Sequence, residues 1–377
     1  MAVATELAMI PVCEPTLDGN EEKYVLDCLA TNWISSSGKY LRQFEEGFSR
    51  HCGVRHGVAC TSGTTGLHLA LTALGVGPGD EVLIPDFTLI VSANSVIATG
   101  ARPVLVDVEP GTWCMDPDRL EEKITPRTKV IMPVHMYGHP CDMDRILEIA
   151  RRRGLRVLED ACEAHGAEVR GRRVGSLGAA AVFSFYGNKI MTTGEGGMVV
   201  CNDDAFAARL RLLVNQGFEE PRFVHRVMGF NYRMTNLQAA VGVAQLEKLD
   251  EKVARKRELA RMYAERLADV RDLELPVERA WAKSVYWMYG IVLGERYRIS
   301  RNELMRRLRE QGVDTRAFFH PMHLQPVFQG SDPLFPDVAG EFPHSARAGG
   351  RGLYLPSGHS LTESQIDRVV DALKQCL

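Results

Sequence analysis

Short apolar runs alternate with amphipathic stretches between residues 56 and 201. The runs occupy residues 56–60, 81–85, 103–108, 129–134, 155–159, 180–185 and 197–201. Each run is ended by a turn or a polar residue, which is typical of buried β-strands. The stretches between them, among them 64–74, 92–99, 116–124 and 142–153, have helical spacing and polar outer faces. This alternation predicts an α/β fold, with a mostly parallel seven-stranded sheet covered by helices.

The link between the last two runs is too short for a crossover helix. We therefore expect the seventh strand to turn back antiparallel to the sixth. Lys189 lies in this link. The pattern places Lys189 in a turn at the edge of the sheet.

After residue 204 the alternation of short apolar runs and amphipathic stretches gives way to long helical patterns. Long helical patterns rich in Ala, Leu, Glu, Lys and Arg cover 205–213 and 237–268, and the second is long enough to predict a kink or a bridge between domains. A strand at 286–293, a helix at 301–311 and a closing helix at 362–376 follow. The length suits two domains. We predict a large α/β domain with an N-terminal arm over 1–250 and a small C-terminal α+β domain over 251–377.

Composition narrows the class of protein further. The chain has 45% hydrophobic and 25% charged residues, as ordinary globular proteins do, and its net charge of -3 gives no basic field. We therefore expect no nucleic-acid partner. The nine cysteines are scattered and show no metal-ligand spacing, which indicates reduced thiols, no bound metal and a cytoplasmic protein. No stretch reaches 18 apolar residues, so we expect no membrane partner.

A cluster of hydroxyl and glycine residues follows the first predicted strand. Ser62, Gly63 and Thr64 open an amphipathic helix there. Free amides, hydroxyls and the positive end of the helix dipole favour an anion such as phosphate. A simple N-cap is the alternative. The chain has no Gly-Lys-Ser/Thr phosphate loop and no Gly-x-Gly-x-x-Gly motif, which disfavours nucleotide sites of those kinds.

A carboxylate, Asp160, emerges from the apolar run of the fifth predicted strand. A carboxylate at such a position is costly unless it has a cationic partner. A pyridinium nitrogen is one such partner, and a charged pyridine ring withdraws electrons from a substrate carbanion. An aspartate that caps the next helix is the alternative. Glu163 is a candidate for the ring hydroxyl, whereas His165 is as consistent with packing or capping.

Lys189 lies between an aromatic stretch and a glycine-rich turn. Apolar neighbours lower the cost of a neutral lysine, and a tight turn lets an aldehyde cofactor approach. A solvated surface lysine is the alternative. The phosphate site, the acidic strand end and the lysine, in this order, are the parts of a pyridoxal 5'-phosphate site. We predict pyridoxal 5'-phosphate as the cofactor.

Six segments resemble the sugar aminotransferases of the DegT/DnrJ/EryC1/StrS family. They are 31–38 (TNWISSSG), 133–139 (PVHMYGH), 183–197 (FSFYGNKIMTTGEGG), 229–236 (GFNYRMTN), 319–323 (FHPMH) and 355–358 (LPSG). The resemblance extends over nearly the whole chain. It implies the fold-type-I architecture of pyridoxal-phosphate enzymes.

The resemblance also implies roles for individual residues. Lys189 is then the catalytic residue that forms the Schiff base with the cofactor, Asp160 pairs with the ring nitrogen and Glu163 lies near the ring oxygen. A related branch that removes a sugar hydroxyl has histidine at the lysine position, so Lys189 favours transamination over dehydration. Leu89 stands where the family often has an aromatic residue that covers the ring.

Further implied cofactor contacts are Ser62, Gly63, Thr64, Ser184 and Asn231. In the family, the asparagine that matches Asn231 reaches the phosphate from the neighbouring subunit. The resemblance therefore implies a homodimer with shared active sites, in which assembly and activity are inseparable.

The expected reaction is transamination from glutamate to a nucleotide-linked 4-keto-6-deoxy sugar, GDP-linked by the closest resemblance. Candidate substrate contacts are Trp33, Ser35, Tyr186, Arg316, His320 and His323. Arg316 suits the donor carboxylate, and the two histidines suit the sugar or the nucleotide, although solvent or structural roles are alternatives for each. Another nucleotide-linked keto sugar, an aminocyclitol ketone, or a non-catalytic regulatory protein that binds the cofactor are the alternative functions.

Overall fold

The computed structural model describes residues 8–221 and 223–377. The α-helices in these residues are Glu21–Ala30 (α1), Lys39–Cys52 (α2), Gly63–Ala73 (α3), Val91–Ile97 (α4), Met143–Arg153 (α5), Asp204–Val214 (α6), Asn236–Glu247 (α7), Leu249–Leu267 (α8), Arg301–Glu310 (α9), Pro343–Arg351 (α10) and Glu363–Cys376 (α11). Single 3-10 turns lie at Pro117–Arg119, Glu121–Lys123, Met136–Gly138, Met322–Leu324 and Pro326–Gln329.

Three sheets hold the β-strands. The strands are His56–Cys60 (β1), Glu81–Pro85 (β2), Arg102–Val106 (β3), Thr128–Ile131 (β4), Arg156–Asp160 (β5), Glu168–Val169 (β6), Arg172–Arg173 (β7), Ala180–Ser184 (β8), Gly197–Cys201 (β9), Leu273–Glu274 (β10), Ala282–Lys283 (β11), Tyr289–Leu293 (β12), Arg316–Ala317 (β13) and Gly352–Leu355 (β14). The largest sheet has seven strands in the order β1-β9-β8-β5-β4-β2-β3.

The large sheet is parallel except for β9, which confirms the predicted α/β fold with a mostly parallel seven-stranded sheet. β9 pairs antiparallel with both β1 and β8, and the remaining neighbours pair in parallel. The predicted antiparallel return of the last strand is therefore confirmed. Because β1 covers the other side of β9, the link that carries Lys189 lies within the sheet order and not at its outer strand.

Apolar side chains on both faces of the large sheet explain why it is buried. On one face Leu83 and Phe183 pack in a core that includes Phe44 of α2, and on the other Val82 and Val182 pack with residues of α3 and α6. Neighbouring residues of a strand thus serve opposite cores, as the two-residue period of a strand requires. Parallel sheets need this cover on both faces.

The N-terminal helices α1 and α2 fill the place where the sequence predicted only an arm. Phe44 and Phe48 of α2 are fully buried. Gly242 of α7 permits the close approach, because a Cβ at Gly242 would lie 2.7 Å from the Phe44 ring. The helix pair therefore belongs to the main core.

Several predicted boundaries are wrong for local reasons. Residues 116–124 form two 3-10 turns instead of an α-helix, and Pro126 then disfavours the helical conformation at Thr125. The fourth strand ends at Ile131, before Pro133, which has no N–H for the ladder. The strand predicted at 286–293 begins at Tyr289, since Tyr286 has φ 46°.

The long pattern at 237–268 forms two helices, α7 and α8, which meet at the non-helical Lys248, so the predicted kink is confirmed. The first residues of α8 pack in the large core, whereas Leu259 and Tyr263 pack with β12, β14 and α11 in a third core. The C-terminal part forms the four-stranded sheet β10-β12-β14-β13, and β11 pairs with β6 of the N-terminal part. The division into domains at 250 and 251 stays a prediction.

Across residues 8–221 and 223–377, no helix has both the length and the apolar character needed to cross a bilayer. The same residues contain no group of three or more His, Cys, Asp or Glu side chains placed to bind a metal ion. All nine cysteines are free thiols.

Candidate active site

A cavity of about 340 Å³ opens where β1, β2, β5 and β8 end. These strands run in the same direction, so their carboxyl ends meet at one edge of the sheet, where ligands bind in α/β folds. Of the residues predicted from the sequence, Ser62, Gly63, Thr64, Leu89, Asp160, Glu163, Ser184, Tyr186 and Lys189 line the cavity. The strand order thus brings together residues that are more than 100 positions apart in the chain.

The hydroxyl cluster forms both an N-cap and one wall of the cavity. Ser62 caps α3, since its Oγ accepts a hydrogen bond from the Thr65 N–H at 3.1 Å. A Cβ at Gly63 would lie 2.9 Å from the Cβ of Ser184 and 2.9 Å from the Sγ of Cys162. The glycine therefore keeps the helix N-terminus close to the end of β8, and the positive end of the helix faces the cavity.

Asp160 is the last residue of β5 and is 3% exposed. Its Oδ1 accepts a hydrogen bond from the Cys162 N–H at 3.2 Å, and its Oδ2 accepts one from the Ser92 hydroxyl at 3.4 Å. Turns follow at 162–163 and 165–166, not a helix, so the alternative that Asp160 caps a helix is wrong. The carboxylate borders the cavity.

Lys189 lies between Glu163 and the indole ring of Trp287. Its Nζ is 3.8 Å from the Oε1 of Glu163 and 3.7 Å from the centre of the ring. Glu163 Oε2 accepts a hydrogen bond from the Tyr137 N–H at 2.8 Å. Burial raises the pKa of Glu163 to about 7, although the Lys189 ammonium opposes the rise.

The amide of Tyr137 reaches Glu163 because the backbone of Tyr137 is left-handed, with φ 50°. Such a conformation costs a non-glycine residue about 1 kcal/mol or more. Packing against Phe318, with ring centres 4.8 Å apart, holds the residue there. His165 packs against the rings of Phe48 and Phe183, and burial lowers its pKa to about 3, so it is a neutral core residue.

Six predicted residues do not line the cavity of a single chain. Trp33, Ser35 and Asn231 are exposed on the surface. The side chain of Arg316 is paired with Asp314 at 2.7 Å, and the Nε2 of His320 is 2.9 Å from the Leu324 carbonyl.

The sixth of these residues, His323, is bound to the fully buried Asp86. The ring Nδ1 of His323 lies 2.6 Å from Asp86 Oδ2, and the backbone N–H of His323 donates a hydrogen bond to Asp86 Oδ1 at 2.8 Å. The ring also stacks on Phe342. Because Asp86 binds the Nδ1 atom and the side chain does not line the cavity of a single chain, the structure favours a structural role, and the substrate contact stays a prediction.

Several residues that line the cavity were not predicted from the sequence, among them Thr88, Cys162, Asn188, Trp287, Phe319 and Tyr354. Thr88 and Cys162 lie three positions after predicted strands that end at 85 and 159, and this position is a signal that could have identified them. Trp287 and Tyr354 come from the C-terminal part of the chain, and no local pattern relates them to β5 or β8.

A lysine, a carboxylate and the positive end of a helix at one cavity of a mostly parallel sheet are the arrangement of a fold-type-I enzyme. A model of the DegT/DnrJ/EryC1/StrS aminotransferase family matches residues 15–374. The chain belongs to this family of aminotransferases, and its cofactor is pyridoxal 5'-phosphate.

Two relatives and one solved structure illustrate the similarity. The chain is 49% identical over 375 residues to GDP-perosamine synthase of Caulobacter vibrioides, covering 99% of this chain and 100% of that protein. It is 41% identical over 367 residues to GDP-perosamine synthase of Escherichia coli O157:H7, covering 97% and 98%. The aminotransferase TlmJ from Streptoalloteichus hindustanus has a TM-score of 0.90 and 34% identity, with 98% of each chain covered.

The residues of the cavity fit the cofactor. Gly63 leaves room beside Ser184 that a Cβ would fill, and the N-terminus of α3 supplies the positive end that a phosphate needs. The buried carboxyl group of Asp160 is suited to pair with a protonated ring nitrogen. The Lys189 amine borders the same cavity. A helix end suited to a phosphate, an acid and an amine thus border one cavity.

Proposed function

We propose that this chain transfers the amino group of glutamate to C4 of a GDP-linked 4-keto-6-deoxy sugar, of the kind that yields GDP-perosamine. The observation that carries the proposal is the 49% identity, over the full length of both chains, to a GDP-perosamine synthase. A second protein with the same name, at 41% identity, supports it. The products are 2-oxoglutarate and the 4-amino sugar.

The proposed cofactor contacts follow from the positions of the side chains. Ser62, Gly63, Thr64 and Ser184 would hold the phosphate at the N-terminus of α3, and Asp160 would hold a proton on the ring nitrogen. Leu89 borders the cavity where it can cover the ring. When bound, pyridoxal 5'-phosphate supplies an aldehyde carbon that carries the amino group and a ring that withdraws electrons.

Lys189 carries the protons of the reaction. Its Nζ takes a proton from the α-carbon of glutamate in the first half of the reaction and delivers one to C4 of the sugar in the second. Glu163, 3.8 Å away, holds the amine toward the cavity. A positioned acid–base group of this kind contributes about 10²–10⁴ in rate.

A homodimer with shared active sites is part of the proposal. Asn231 is exposed and does not line the cavity of its own chain, which fits a role in the cavity of a partner. Exposed apolar side chains support a partner surface: Trp33 is 56% exposed and Met228 is 90% exposed. The substrate roles of Trp33, Ser35, Tyr186, Arg316 and His320 remain proposals. The free, scattered cysteines favour a cytoplasmic location.

The test uses glutamate labelled with ¹⁵N and a panel of GDP-, dTDP- and UDP-linked 4-keto-6-deoxy sugars. Mass spectrometry measures the label in each sugar and the 2-oxoglutarate that forms. We expect the label in the GDP-linked sugar. Label only in a dTDP- or UDP-linked sugar would keep the reaction and change the substrate. Formation of 2-oxoglutarate with none of the sugars labelled would refute the proposed sugar class.

A further inference from the structure

Trp287 borders the cavity from the C-terminal part of the chain and is 3% exposed. The centre of its indole ring is 3.7 Å from the Nζ of Lys189, within the range of a cation–π contact. The indole N–H donates a hydrogen bond of 2.7 Å to the carbonyl of Asn188, the residue before Lys189. One side chain therefore contacts both the amine of Lys189 and the backbone that carries it.

Lys256 anchors the backbone of Trp287. It lies in α8, is 2% exposed, and its Nζ donates to the Trp287 carbonyl at 2.9 Å and to the Ser357 carbonyl. Ser357 Oγ in turn accepts a hydrogen bond from the Tyr289 N–H at 3.0 Å. The segment before β12 and the segment after β14 are thus bound to a single amine.

A buried lysine at this place is expensive. Burial lowers the pKa of Lys256 to about 8, which reflects the cost of keeping its charge away from water. An apolar side chain of the same length would fill the space without that cost. The benefit of the amine lies in the two carbonyls that it holds, one of which belongs to Trp287.

We propose that Trp287 is a positioning residue for Lys189, and that Lys256 holds Trp287 in this position. The Trp287 ring covers one side of the Lys189 amine and leaves open the side that faces Glu163 and the cavity. The bond to Asn188 fixes the turn in which Lys189 lies. This inference rests on the proposed role of Lys189 as the residue that binds the cofactor covalently. A nucleophile that is displaced by about 1 Å can lose about 10²-fold in reactivity.

The test measures how well the apoenzyme captures pyridoxal 5'-phosphate, without any substrate. The bound cofactor is fixed with borohydride, and mass spectrometry identifies the modified lysine. We expect Trp287→Leu and Lys256→Met to raise the Kd for pyridoxal 5'-phosphate about tenfold. Trp287→Phe keeps a ring and loses the bond to Asn188, so we expect a smaller rise of about threefold.

Lys252→Met is the matched control. Lys252 lies one turn earlier on α8, is 6% exposed, and its Nζ donates to the carbonyl of Thr16, which does not line the cavity. We expect its Kd to stay within about twofold of the original. Thermal unfolding of the Lys256→Met and Lys252→Met apoenzymes separates loss of stability from loss of positioning.

Two results would overturn the inference. One is a Lys256→Met variant that melts earlier but captures the cofactor as well as Lys252→Met does, which would make Lys256 purely structural. The other is an unchanged Kd in Trp287→Leu. A separate variant, Lys189→Ala, tests whether Lys189 is the residue that binds the cofactor covalently. If it still forms a reducible adduct, the proposed role of Lys189 fails, and the result says nothing against the contacts of Trp287.

Discussion

The replacement Glu163→Gln tests the electrostatics of the cavity directly. Glu163 is 5% exposed, and burial raises its pKa from 4.5 to about 7. The difference, at about 1.36 kcal/mol per pH unit, corresponds to about 3 kcal/mol. Glutamine has the same shape, does not titrate, and can still accept the hydrogen bond from the Tyr137 N–H.

The sign of the effect follows from proton binding. Between pH 4.5 and 7 the folded chain keeps the proton on Glu163 while the unfolded chain has released it. The free energy of unfolding therefore falls as the pH rises through this window, by about 3 kcal/mol from this residue alone. Glu163→Gln removes this contribution. We expect the free energy of unfolding of Glu163→Gln to rise by about 3 kcal/mol relative to that of the original chain as the pH goes from 4.5 to 7.

Urea unfolding of the two apoenzymes at several pH values gives the difference. The protein concentration is held constant, because the stability of an assembling protein depends on it. Glu22→Gln is the control, because it removes the charge of an exposed carboxylate. The reasoning would be refuted if the difference in free energy of unfolding between Glu163→Gln and the original chain did not change from pH 4.5 to 7. A carboxyl group desolvated in the folded chain must make this difference depend on pH.

Three further variants test other parts of the site. Lys189→Ala should lower the single-turnover rate of amino transfer by a factor of about 10²–10⁴, and a loss of less than about 10² would contradict its role as proton carrier. Gly63→Ala places a Cβ 2.9 Å from Ser184 and should raise the Kd for pyridoxal 5'-phosphate about tenfold, whereas Gly350→Ala, which has open space, should not. His323→Leu leaves the buried Asp86 short of a partner. It should cost about 3 kcal/mol in urea unfolding with the KM for the sugar unchanged, and the opposite pattern would restore a substrate contact.

Much of the site was predictable from the sequence because its residues follow strands directly. Ser62 follows β1, Asp160 ends β5 and Ser184 ends β8. The two-residue period of strands and the rule that ligands bind at their carboxyl ends are local and general. The lysine was recognisable from its aromatic and glycine neighbours, so a cofactor site was predictable before any packing was known.

Boundaries and C-terminal contributions were less predictable. The fourth strand stops early because of Pro133, and 116–124 forms two 3-10 turns where its spacing predicted an α-helix. His323 illustrates the larger difficulty. Its residue type suits a substrate contact, but it is bound to Asp86, a residue 237 positions away. A pattern read along the chain carries no information about such a partner.

The alternation of apolar runs and amphipathic stretches therefore predicts the fold class, and the local sequence predicts the lysine, the acid and the phosphate site, since each of these predictions depends on neighbours within a few positions. Tertiary packing alone places Trp287 over Lys189, buries Lys256 against the Trp287 carbonyl, and desolvates Glu163 enough to raise its pKa to about 7. These properties depend on distances between residues that are remote in sequence and on the exclusion of water. Both arise only when the sheet and the C-terminal strands come together.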